Sequence, residues 1–155
     1  MLQIHTPGYG SVIACFTAAQ EKGATKEQLI MASCAVARLA LPLIPSDIVG
    51  TQGENVAQVA REAIETAEAF CRGSVPWELV EKYMFGIWEI ASEFYAVNPT
   101  ISRAAYAVAY SADVGGSHAQ HRPNVNCYIP SFWALRAGVN PELVLSTVKK
   151  SLASL

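Results

Sequence analysis

Charge is what this chain has least of. Asp, Glu, Lys and Arg make up 15% of its 155 residues, well under the quarter common in soluble domains, while 52% are hydrophobic. So little charge demands a well-buried interior, a partner that covers leftover apolar surface, or both, and a homodimer is one expectation. The formal net charge is −2, and basic residues are concentrated nowhere except at Lys149–Lys150. A nucleic-acid footprint is therefore not expected.

Long hydrophobic runs are missing too. The longest candidate, Leu29–Ile44, holds Arg38 and is broken by Pro42, and it falls short of the roughly twenty apolar residues a membrane span requires. The first ten residues carry no Lys or Arg, and the apolar piece Val12–Ala19 is short. That is not a signal-peptide pattern, so a cytoplasmic protein with no membrane partner is expected. Cysteines stand at 15, 34, 71 and 127 with no CxxC pair. Cys34 and Cys71 fall on apolar helical faces, where a free thiol packs as a small hydrophobe. No useful stretch of strand-like alternation occurs, and no internal repeat.

What is present is helical periodicity. In Thr51–Gly73, residues Val56, Val59, Ala60, Ala63, Ile64, Ala67, Phe70 and Cys71 recur at steps of three and four, with Arg61, Glu62, Glu65, Glu68 and Arg72 opposite. Thr51 with Glu54 has the spacing of a capping box, and Gly73 suits a left-handed helix end. Thr25 with Gln28 is a second capping box, opening an almost wholly apolar helix from Lys26 to Leu41 that should lie at the centre. Further helices are predicted over Ser11–Lys22, Trp77–Val97 and Pro99–Asp113, in a short piece between Pro130 and Gly138, and from Asn140-Pro141 onward. In the Trp77–Val97 helix the inner set reads as Trp77, Val80, Met84, Ile87, Trp88, Ala91, Phe94 and Tyr95. Gly86 within it suggests the close approach of another backbone. Leu143, Val144, Val148 and Leu152 form the inner side of the last helix. The predicted fold is all-α, a compact bundle of six to seven helices with short loops in one domain over residues 1–155.

Three places could carry chemistry. Asp113, His118 and His121, in DVGGSHAQHRPN, combine a carboxylate with two imidazoles three residues apart, which suits zinc or a similar divalent ion. Glu89 and Glu93, one turn apart, could complete such a site. The plainer alternative is a solvated loop and two exposed acids, with no cofactor. Glu62, Glu65 and Glu68 form an acidic helical edge suited to a basic partner, or simply a wet face softened by Arg61 and Arg72. Arg136–Leu152 has the outline of a helix-turn-helix but offers few basic residues to a groove, so a plain helical hairpin is expected. No nucleophile elbow or phosphate-binding glycine loop is found.

The segments ALPLIP (40–45), AREAIETAEAFCRGSV (60–75) and SRAAYAVAYSA (102–112) together resemble the helical immunity proteins of bacterial polymorphic-toxin neighbourhoods. The likeness extends over residues 33–136 and is most specific at Arg61–Gly73, although Phe70 stands where a tryptophan is expected. The resemblance implies a small non-enzymatic protein that binds a toxin and occludes its active surface. On that basis Arg61, Glu65, Glu68 and Arg72, with the loop 113–126, are the candidate binding residues. A metal-dependent helical enzyme using Asp113, His118 and His121, and an oligomeric scaffold, are the alternatives.

Overall fold

A computed structural model describes residues 6–112 and 126–153. Seven α-helices make up most of it: α1 (Tyr9–Glu21), α2 (Lys26–Ala40), α3 (Val56–Cys71), α4 (Trp77–Phe94), α5 (Pro99–Ala109), α6 (Ile129–Ala137) and α7 (Pro141–Ser151). Short 3-10 turns at Leu41–Leu43 and Asn126–Tyr128 follow α2 and precede α6. No strand occurs among the described residues, and the fold is the expected all-α bundle. None of the described helices is long and apolar enough to cross a membrane.

The helix starts follow from their caps. Thr25 and Gln28 form the predicted capping box, the Thr25 hydroxyl accepting from Gln28 N–H at 3.1 Å and the Gln28 side chain accepting from Thr25 N–H at 2.7 Å. Asn98 and Asn140 cap α5 and α7, each followed by a proline in the first turn. The start of α3 differs from expectation. Its cap is Asn55, whose side-chain oxygen accepts from Gln58 N–H at 2.9 Å, and Thr51 lies outside the helix. Residues 48–56 fold back through a turn at Gly53 (φ 81°), with Val56 N–H donating to the Ile48 carbonyl at 3.1 Å. The Thr51 N–H and hydroxyl are bound instead by the Glu93 carboxylate, at 2.8 and 3.2 Å. The local capping signal lost to a tertiary contact 42 residues away.

Two helices occupy the middle. As predicted, α2 lies at the centre, touching α3, α5, α6 and α7, but it is not enclosed all round: Glu27, Met31 and Arg38 keep one edge exposed. The other is α5, where Ile101, Ser102, Ala104, Ala105, Ala107, Val108 and Ala109 are all buried. Its small side chains let α4 and α6 approach closely from either side, while Tyr106 and Tyr110 are only half-buried at its rim. Around this pair the core is closed by Phe16 from α1, Ile30 and Val36 from α2, Ile64 from α3, Ile87 from α4 and Val144 from α7. Each such side chain, fully buried, contributes about 1.5–3 kcal/mol against exposure.

Buried hydroxyls tie helices together. Ser102 on α5 donates to the Ala91 carbonyl of α4 at 2.7 Å, and Ser33 on α2 donates to the Cys127 carbonyl at 2.7 Å. At the N-terminus of α1, Gly8 (φ 84°) meets α7 so tightly that a Cβ there would lie 2.8 Å from Pro141 Cβ.

Four expectations are corrected. Gly86 has nothing within 4 Å of where a Cβ would stand, so no backbone approaches it. Trp88 and Tyr95 face outward, 43% and 67% exposed, and Leu143 is 48% exposed. The core side of α4 is Val80, Ile87, Ile90 and Ala91. A second apolar stripe adjoins it, and periodicity alone does not divide the two.

Candidate functional site

Arg61, Glu65, Glu68 and Arg72 follow one another at helical spacing along α3, so they do form a single line on the outside of the bundle. Arg61, Glu65 and Arg72 are exposed. Glu68 is not free. Its side chain is only 15% exposed and receives both Nε (3.1 Å) and Nη2 of Arg38, a two-pronged ion pair joining α3 to α2. The hydrogen bonds to Glu68 raise the pKa of Arg38 above its usual value, so the pair is a structural clasp first.

The more informative surface lies on the neighbouring helix. Phe85 is 62% exposed at the middle of the solvent side of α4, with Trp88 one turn further on. These two rings stand open on a helix whose opposite side, Val80, Ile87, Ile90 and Ala91, is locked into the core. Glu78, Glu81 and Glu89 flank them, all exposed, with Lys82 as the one base of the helix. Glu81 is held in place, accepting from the Trp77 indole N–H at 2.8 Å, as Glu93 is held by Thr51.

The ring surface continues sideways. Trp88 meets Tyr106 edge-on at 6.5 Å, Tyr106 stacks on Trp133 of α6 at 4.8 Å, and Trp133 meets Phe132 at 5.1 Å. Tyr106 is also within 3.1 Å of the Ser92 hydroxyl. Phe132 carries the Arg136 guanidinium over its face at 5.9 Å and packs on Tyr9 at 5.5 Å. Tyr9 is buried, and its hydroxyl has no hydrogen-bond partner among the described residues. Burial first, then nearby Tyr128 and Cys127, push its pKa well above the usual phenol value.

Three of the four thiols, Cys34, Cys71 and Cys127, act as packing groups. Burial raises Cys71 to about 11 and Cys127 to about 12, and lifts Cys34 further still. Thiolate chemistry at neutral pH is disfavoured at all three.

Asp113, His118 and His121 lie outside the described residues. Among the described residues no group of three or more His, Cys, Asp or Glu side chains is arranged to hold a metal. Glu89 is exposed and Glu93 is engaged by Thr51.

Periodicity placed Trp88 inside because it borders the core stripe, and passed over Phe85, which stands on the opposite, solvent side. One signal was available: α4 has more large apolar residues than one face can bury. No family model, curated protein or solved structure matches this chain.

Proposed function

We propose that this protein is a binding module of the immunity type, which seats a partner protein, a toxin, on a rigid helical face and blocks it by occlusion. The observation that carries this reading is the exposure of Phe85 and Trp88 on the outer side of α4. Aromatic side chains dominate binding energy at protein interfaces because they bury much area while losing little rotamer freedom. The face is also preorganised. Ser102 fixes the C-terminal end of α4, Ile87 anchors its middle, and Glu93 ties its last turn to the loop before α3. A partner docking there orders few protein groups, which favours affinity. The resemblance at Arg61–Gly73 supports the same reading, and Arg61, Glu65 and Arg72 on adjacent α3 extend the available face.

Occlusion requires no chemistry from the chain itself. The bundle has only to remain folded and to place its rings against the partner's working surface.

The test is co-purification of the chain with the products of genes adjacent to its own, followed by titration of any toxic activity found. A stoichiometric complex with 1:1 neutralisation, lost in Phe85→Ala, is expected. A toxic product neutralised equally well by native chain and Phe85→Ala, or the lack of any complex, would defeat the reading.

A further inference from the structure

We infer that the partner presents a basic segment, with arginine or lysine at its centre, to the outer face of α4. This rests on the protein-binding reading above and adds the chemistry of the occupant. Three observations converge on it.

The first is charge. Nine of the thirteen acidic residues of the chain stand between Leu41 and Val97, against only three of its eleven basic ones, Arg61, Arg72 and Lys82. On α4 itself Glu78, Glu81 and Glu89 outnumber the single base, Lys82, around Phe85 and Trp88 on the exposed side. The last turn of α4 carries no basic residue, so the negative end of its helix dipole adds to Glu89, while Glu93 and the Ala91 carbonyl are taken up by Thr51 and Ser102.

The second is ring chemistry. An open aromatic face with carboxylates beside it attracts a guanidinium or ammonium from both sides, the ring quadrupole and the acids acting together. The molecule already uses this pairing internally, with Lys26 5.7 Å from the Phe70 ring centre and Arg136 5.9 Å from that of Phe132.

The third is the alternative occupant. Twofold docking about Phe85 would set Glu81 of one copy against Glu89 of the other, acid on acid, with Lys82 as the single base of that helix. An acidic or nucleic-acid partner meets the same repulsion.

Selection from a random peptide display library on the folded chain tests this directly. The native protein is compared with Phe85→Ala and with the double variant Glu81→Gln/Glu89→Gln, in which the amide oxygen introduced at position 81 still accepts from the Trp77 indole. Unchanged urea midpoints confirm that the exposed substitutions leave the fold intact. The expected result is a set of peptides rich in Arg and Lys next to apolar residues. Their affinity should fall about tenfold or more in Phe85→Ala, fall in the double variant, and weaken with salt. Phe85-dependent peptides without basic residues would overturn the inference while leaving the protein-binding reading standing. A library yielding no Phe85-dependent peptide would overturn both. Sedimentation showing a dimer that Phe85→Ala dissociates would assign the face to a second copy and likewise overturn the basic partner.

Discussion

Replacing Ser102 by alanine isolates one contact that holds α4 to α5. The Ser102 side chain is 1% exposed, and its hydroxyl donates to the Ala91 carbonyl at 2.7 Å. That carbonyl lies in the last turn of α4, where Tyr95 N–H closes onto Ser92 at 3.3 Å and leaves Ala91 without its usual helical donor. Removing the hydroxyl forfeits the hydrogen bond and strands a buried acceptor, at a cost of about 2 kcal/mol. Alanine restores about 0.5 kcal/mol through its better helix propensity. The net loss is about 1.5 kcal/mol, which for a chain of this size lowers Tm by roughly 3–6 °C. Urea unfolding followed by circular dichroism should show a lower midpoint with an unchanged slope. Ser146→Ala is the control, because the exposed Ser146 hydroxyl only back-bonds to Leu143 in its own helix at 3.0 Å. If Ser102→Ala stays within about 0.5 kcal/mol of native, or matches the control, the interhelical bond does not hold α4 as argued.

Other substitutions give equally direct outcomes. Gly86→Ala should raise stability by about 0.5–1 kcal/mol, since the site is open and helical; Gly8→Ala should lower it by more than about 1 kcal/mol, because of its positive φ and the Pro141 contact. Both are read from urea midpoints. Tyr9→Phe removes a buried hydroxyl that finds no partner among the described residues and should gain about 1 kcal/mol in the same assay. Alkaline pH should expose the cost of burying Cys127. Its pKa is raised on folding from 9.0 to about 12, so its contribution is complete below pH 9 and is lost as pH rises through that window. Between pH 9 and 11 the native protein should therefore lose more stability than Cys127→Ala, as measured by unfolding at each pH.

Helix number, helix type and the central place of α2 were legible because they depend on local signals. Thr25 with Gln28, Asn98-Pro99 and Asn140-Pro141 are caps whose partners lie within four residues. Where the partner lies far away, local reading fails. Thr51 has the look of a cap, but Glu93 claims it, and Glu68 has the look of a free surface acid, but Arg38, thirty residues earlier, closes on it. Outward and inward stripes of α4 could not be separated either, since a helix with rings on adjacent faces has two nearly equal solutions and only packing against α3 and α5 selects one. The exposure of Trp88 was hidden by that ambiguity, while Phe85, on the side away from the core, simply fell outside the predicted inner set.

The contact of α2 with α7 bears on how the chain is made. During synthesis α7 emerges after the other six described helices, so α2 stays wet along one flank until all of those have been translated. Closing that flank means bringing together segments about a hundred residues apart, and this late loop closure, rather than helix formation, should set the folding rate. Ribosome-bound chains halted before Pro141 should accordingly remain sensitive to protease at α2.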